Sequence, residues 1–137
     1  MIGILCFLFV IYLTFGITQK AHLVIPKGHL EGITSVCFSP DGKFILSGSR
    51  DHTAKIWNLL GHEVETFNLD KDVLAVAFSP DEKFILTGSA EGKIKLWKIS
   101  GELIQTIDAH VKDINSIAFS PDGYYMLSAS DDFTAKL

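Results

Sequence analysis

His29, Ser47 or Ser49, and Asp51 hold the ingredients of a nucleophilic triad. A hydroxyl that attacks, an imidazole that takes its proton and a carboxylate that orients the imidazole are what acyl transfer by serine requires. Such a site also needs an accessible hydroxyl and donors for the developing oxyanion. Other chemistries find less support. His22, His29, His52, His62 and His110 show no ligand spacing with Cys6 and Cys37, so no metal site is expected. No glycine loop of the phosphate-cradling kind is present, and no cofactor is expected. Cys37 reads as a small buried hydrophobe.

The elements that must position these residues are copied in series. Phe38-Ser39-Pro40-Asp41-Gly42-Lys43-Phe44-Ile45-Leu46-Ser47-Gly48-Ser49 returns from Phe78 to Ser89 and again from Phe119 to Ser130. The offsets are 78 − 38 = 40 and 119 − 78 = 41. A period near forty residues marks one supersecondary unit repeated, each copy burying its apolar face on its neighbours. Ser-Pro-Asp-Gly is turn chemistry, with proline presetting φ and glycine accepting a positive φ. The second copy has Glu82 at the glycine position, so its turn is expected to differ slightly or to carry strain. Short β-branched and aromatic runs lie between the turns. They predict strands near 33–38, 44–49, 53–58 and 63–67, then 73–78, 84–89, 93–98 and 102–107. Four short strands per unit make one antiparallel propeller blade.

Gly28-His29, Asp51 and Trp57 stand at the spacing of a WD-repeat blade, and from about residue 20 onward the chain resembles the WD-repeat propellers. The departures are local. Asn58 and Lys98 follow the two tryptophans, Leu69 and Glu91 replace histidine and aspartate in the second copy, and Ala109 precedes His110 in the third. The resemblance implies an all-β fold, a partial propeller of blades 28–67 and 68–108 with an incomplete 109–137. It also implies a buried hydrogen-bond network of His29, Ser47 or Ser49, Asp51 and Trp57, echoed by His110 and Asp132 and lacking in the second blade. That reading outweighs the triad, because it sequesters the serine without an oxyanion hole. The resemblance further implies a non-enzymatic scaffold for a protein or peptide. The binding face would be formed by the loops leading into each blade and the turns between second and third strands: Glu31, Arg50, Lys71, Asp72, Lys112, Asp113 and Asp131, with Gly32 and Ala90 among them. The alternatives are a regulatory or sensor segment of a larger enzyme or signalling protein, and an exported or membrane-tethered arc whose copies assemble.

Composition divides the chain at residue 20. All charged side chains lie from Lys20 onward, and the net charge is −4 with a pI near 5.6. Arg50 is the only arginine and there is no basic stripe, which argues against a nucleic-acid partner. Residues 1–19 form a hydrophobic leader, uncharged over residues 2–18 and long enough as a helix to cross a bilayer. It reads either as an export signal or membrane anchor, or as a stretch foreign to the propeller. Localisation follows that choice: membrane-anchored or secreted in the first case, cytoplasmic in the second. His22-Leu23-Val24-Ile25 aligns with an outermost fourth strand, while Thr134-Ala135-Lys136-Leu137 stops where the repeat tryptophan would come next. The chain therefore reads as an open arc, with bare blade faces that favour self-association.

Overall fold

The structure is a computed structural model, and it describes residues 28–137. Among these residues every regular element is a strand. The first sheet is β1 (Ile33–Phe38), β2 (Phe44–Ser49), β3 (Thr53–Asn58) and β4 (Glu63–Asn68). The second is β5 (Val73–Phe78), β6 (Phe84–Ser89), β7 (Lys93–Lys98) and β8 (Leu103–Asp108). The third has β9 (Ile114–Phe119), β10 (Met126–Ser130) and the short β11 (Ala135–Lys136). Each sheet is an antiparallel meander in sequence order, as expected of successive blades. The sequence-based limits differ from these only at the fourth strands. There Asn68 pairs with Thr53 and Asp108 with Lys93, which carries each strand one residue further. The leader, its expected helix, Cys6 and the strand expected at Leu23–Ile25 lie outside the described residues.

The Ser-Pro-Asp turns explain why β1 and β2 pair as they do. Ser39 Oγ accepts from Phe44 N at 2.9 Å and donates to Asp41 Oδ1 at 2.7 Å, while Gly42 N donates to Ser39 O at 2.8 Å. Asp41 Oδ1 in turn accepts from Lys43 N, and the Lys43 N–H and Ser39 hydroxyl together hold the Asp41 carboxyl at about 2. Ser79 and Ser120 repeat the arrangement. Glu82 keeps the same turn in spite of its side chain: its φ is 59°, against 72° for Gly42 and 77° for Gly123. The strain is real, since an L-residue costs roughly 1–2 kcal/mol in the left-handed region. A compensation is visible. Glu82 Oε1 accepts from Asp41 N at 2.6 Å, which ties the turn of blade two to that of blade one.

Two cores lie between the three blades. Leu46, Ala54, Ile56 and Phe67 of blade one cover Val73, Val76 and Phe78 of blade two, with Trp97 closing the cluster edge-on to Phe67 at 5.5 Å. Ala75, Leu86 and Ile94 on the other side of blade two cover Ile114 and Ile117 of blade three. Gly48 permits the first contact, because a Cβ there would stand 2.8 Å from Val73 Cγ1 and 2.9 Å from Val76 Cγ1. Blade one's own Ile33, Val36 and Phe38 occupy the repeat positions of Val73, Val76 and Phe78, yet they are 56%, 64% and 66% exposed where the latter are 0%, 6% and 8% exposed. Cys37 departs from expectation. It is half-buried beside the first core rather than fully enclosed, its thiol reaching toward Val76 O at 3.9 Å, and burial pushes the thiol pKa up.

Candidate functional site

Blade one brings His29, Ser47, Asp51 and Trp57 together. His29 precedes β1, Ser47 lies in β2, Asp51 sits in the turn between β2 and β3, and Trp57 is in β3. His29 Nδ1 is 2.9 Å from Asp51 Oδ2 and Nε2 is 2.7 Å from Ser47 Oγ. The Trp57 indole N–H donates to the same Ser47 oxygen at 2.8 Å, with the indole edge-on to the imidazole at 5.9 Å. One proton assignment satisfies every atom: Trp57 N–H to Ser47, Ser47 O–H to His29 Nε2, His29 Nδ1–H to Asp51. Thr53, which the sequence did not single out, completes the ring. Its hydroxyl donates to Asp51 Oδ1 at 2.6 Å, and its backbone N–H donates to the same oxygen at 3.0 Å. Leu30 N donates to Asp51 Oδ2 at 2.8 Å. Burial alone would raise the Asp51 pKa, but the Thr53 hydroxyl, the Leu30 N–H and His29 overcome it and hold the carboxyl far below its usual range.

Blade three repeats the arrangement with the same spacings. His110 Nδ1 lies 2.9 Å from Asp132 Oδ2, and Nε2 lies 2.8 Å from Ser128 Oγ. The intervals 132 − 110 = 22 and 128 − 110 = 18 equal 51 − 29 and 47 − 29. Those equal intervals are the signal that could have found Ser128, and 134 − 110 = 53 − 29 = 24 would have found both threonines. The Thr134 hydroxyl, then His110 and backbone N–H groups, hold Asp132 well below the ordinary carboxylate range. Blade two has only the indole half. Trp97 Nε1–H donates to Thr87 Oγ1 at 3.0 Å, while Leu69 packs on the first core and Glu91 turns to Lys93 at 3.4 Å. Ser49 does not join the histidine. Its hydroxyl donates to Glu31 O at 3.2 Å and accepts from Asp51 N at 3.1 Å, so it fastens the leading loop to the turn.

In arrangement of types, Asp51, His29 and Ser47 match a hydrolytic triad. In environment they do not. Ser47 is 3% exposed and its oxygen already accepts the Trp57 N–H, so no substrate carbonyl has room at the hydroxyl. Among the described residues no cluster of histidine, cysteine and carboxylates could hold a metal ion, and no helix is long and apolar enough to cross a membrane.

The residues expected on a binding face are joined in pairs by equivalent backbone bonds: Arg50 N to Gly32 O at 3.0 Å, Ala90 N to Asp72 O at 3.1 Å, and Asp131 N to Asp113 O at 3.1 Å. Glu31, Arg50, Lys71, Lys112 and Asp131 are exposed, and Asp72 and Asp113 are half-buried. Neighbouring blades meet there. Asp72 lies 3.2 Å from His52 Nε2 and 3.8 Å from Arg50 Nη1. Asn115 donates to Asp131, and the Lys112 ammonium stands 5.2 Å from the Phe133 ring. Leu30 and Val111, next to the two network histidines, are 94% and 87% exposed.

This is the geometry of repeated propeller blades, and the comparisons agree. The WD domain, G-beta repeat family matches residues 20–58, 61–98 and 101–137, and the chain belongs to that family. The matched units run out of phase with the sheets: the second and third start at β4 and β8, the outer strands of the blades before. The chain is 54% identical over 35 residues to the nuclear distribution protein PAC1 of Candida albicans, covering 26% of this chain and 7% of that protein. It is 45% identical over 47 residues to the general transcriptional corepressor TUP1 of Saccharomyces cerevisiae, covering 28% and 7%. It is also 45% identical over 49 residues to WD repeat-containing protein 1 of Gallus gallus, covering 35% and 8%. The matched stretches thus span less than a tenth of the length of these relatives. WD repeats are typically platforms for protein interaction, and the relatives are WD-repeat proteins named for distribution and corepression.

Proposed function

We propose that this chain is a non-catalytic scaffold segment that binds a protein or peptide on the face carrying Glu31, Arg50, Lys71, Asp72, Lys112, Asp113 and Asp131. The observation that carries the reading is the double use of the network. The same Asp51 that orients His29 also accepts the Leu30 N–H, and Asp132 does so for Val111. The polar ring therefore spends its hydrogen bonds on fixing the leading loops, and a loop fixed in advance loses less entropy on binding. His29, Ser47, Asp51, Trp57, His110 and Asp132 act in this reading as positioning residues, with Ser49 fastening the loop from the other side. The surface they hold differs from blade to blade, Arg50, Ala90 and Asp131 standing at one repeat position, which suits a specific partner.

The test is crosslinking of the full chain in its own cells, followed by identification of attached proteins. Arg50→Glu and Lys112→Glu should each lose a defined protein partner, whereas Lys43→Glu, on the opposite turns, should retain it. Loss in all three variants alike, or in none, would remove the face from consideration. A hydrolase activity abolished by Ser47→Ala in a folded variant would overturn the non-catalytic reading.

A further inference from the structure

We propose that Lys95 positions the leading loop of blade two through its ion pair with Asp70, and that this pair replaces the histidine–aspartate ring with a latch that salt can open. The role rests on the binding face proposed above, because this loop carries Lys71 and Asp72. Three copies of one unit make the comparison internal. In blades one and three the residue after the histidine is apolar, Leu30 or Val111, and its backbone N–H is held by Asp51 or Asp132. In blade two both ring residues are replaced: Leu69 packs on the first core, and Glu91 pairs with Lys93 at 3.4 Å. The ends of the loop are still fastened, Leu69 N donating to His52 O at 2.9 Å and Ala90 N to Asp72 O at 3.1 Å. The middle of the loop is what the ring would hold. There the repeat position of Leu30 and Val111 is taken by Asp70, since 70 − 30 = 40 and 111 − 70 = 41.

Asp70 Oδ2 accepts from Lys95 Nζ at 2.9 Å. The two ends of this pair differ. The Asp70 side chain is 78% exposed, whereas that of Lys95 is 12% exposed. Lys95 lies in β7 between Thr87 of β6 and Thr106 of β8. Its ammonium stands 5.8 Å from the Trp97 ring centre, and the Trp97 N–H is itself bonded to Thr87. The ammonium is thus fixed by the sheet before the loop closes on it, which removes much of the entropy loss that weakens ordinary surface pairs. The same repeat position serves other ends elsewhere. Lys55 pairs with Glu63 of β4, and Lys136 donates to Ala109 O. Of the three lysines, Lys95 meets a carboxylate on a leading loop. Lys93 and His52 also face Asp70, but Lys95 does most to hold its carboxyl below the usual range. The two devices should respond differently to salt. In blade one the His29 and Asp51 side chains are 2% and 6% exposed, out of reach of ions, while Asp70 stands in solvent where ions screen it.

The test uses the full chain without a partner. Backbone amide relaxation gives the order parameter of Lys71, and the Asp70 carboxyl is titrated by NMR in the same samples. At low salt the Lys71 order parameter should stand near the rigid value of about 0.85, and in Lys95→Met it should fall below about 0.6. Methionine keeps an apolar stem beside the Trp97 ring, so the sheet is preserved, and Lys95→Arg should restore the order. In Lys95→Met the Asp70 carboxyl should titrate higher, toward 3.8, a shift that a merely structural lysine would not cause. Raising NaCl to about 1 M should loosen Lys71 in the wild type and leave Leu30 and Val111 unchanged. A Lys71 that stays ordered in Lys95→Met would overturn the proposal, as would three loops that loosen together. None of these readings needs a partner, so they stand or fall apart from the binding face, which Arg50→Glu tests by partner loss.

Discussion

Asp51→Ala tests the network most directly. The Asp51 carboxylate accepts four hydrogen bonds, from His29 Nδ1, Leu30 N, Thr53 N and the Thr53 hydroxyl. Leu30 is highly exposed, so its N–H can turn to water. The His29 side chain is 2% exposed and is left with the Thr53 hydroxyl alone, 3.0 Å from Nδ1, a hydroxyl whose own acceptor has gone. An orphaned buried donor costs about 1–3 kcal/mol, and the ring passes the loss on, since an imidazole free to turn no longer holds the Ser47 hydroxyl. Asp51→Ala is thus expected to destabilise blade one by about 2 kcal/mol. With a urea dependence of about 1–3 kcal/mol/M for a small domain, the midpoint falls by roughly 1 M. Glu91→Ala removes only a partly exposed pair with Lys93 and should cost about 0–1 kcal/mol, at the level of surface ion pairs. Urea titrations followed by tryptophan fluorescence check both. Equal midpoint shifts would refute the argument, because they would show that the buried ring contributes no more than a surface pair.

The acid limb of stability should be set partly by Asp51. Its pKa is depressed from 3.8 in the folded chain, so its contribution is complete above the unfolded value and is lost as pH falls below it. Asp51→Asn should flatten the decline in urea midpoint between pH 4 and pH 2, and an unchanged slope would contradict this. Trp97→Phe is expected to destabilise more than Trp57→Phe, although both lose an indole hydrogen bond, because Trp97 also fills the core against Phe67. The difference should be about 1–2 kcal/mol in the same titration. At Glu82 two terms oppose each other: Glu82→Gly relieves about 1 kcal/mol of left-handed strain while losing the bond to Asp41 N, and Glu82→Ala loses the bond without relief. Stability should therefore rank Glu82→Ala below Glu82→Gly, and the reverse order would show that the strain is negligible.

The strands were legible because each blade states its turn and its alternation in the same order, and tertiary packing had nothing to override. Cys37 was misplaced for a simple reason. Alternation puts it on an inward side of β1, but only packing decides how far Val76 and Phe78 close over it. The hydroxyl partner of His29 could not be chosen between Ser47 and Ser49, since both lie on β2 two residues apart and therefore point to the same face. The choice is made by the depth of the imidazole. Glu82 showed as an anomaly in sequence, but its bond to Asp41 connects residues 41 apart and depends on the blade-to-blade spacing. Thr53 was missed because a threonine at the start of a strand is ordinary β-propensity until its hydroxyl is seen on the carboxylate.

The resemblance of the network to a triad follows from the limited ways in which a carboxylate, an imidazole and a hydroxyl can satisfy one another. Asp51 can only accept, so His29 must present Nδ1–H to it, and a neutral ring then needs a donor at Nε2, which Ser47 provides. Up to this point a hydrolase and a structural ring are the same object. They part at the serine oxygen. An enzyme leaves that oxygen facing substrate, whereas here the Trp57 N–H occupies it and blade packing leaves Ser47 3% exposed. Blade two makes the separation explicit, since Trp97 and Thr87 keep the indole–hydroxyl bond with no histidine or aspartate beside it. That bond persists where the triad types are absent, so the indole and hydroxyl belong to the sheet, and the histidine and aspartate are additions that fix the loop. A chain that builds the ring in blades one and three and omits it in blade two holds Leu30 and Val111 by their backbone N–H groups and leaves Asp70 to pair with Lys95 instead. Rigid apolar positions therefore flank a charged one across three successive leading loops. That contrast comes from the network alone, and it gives the polar ring a role in the surface as well as in the fold.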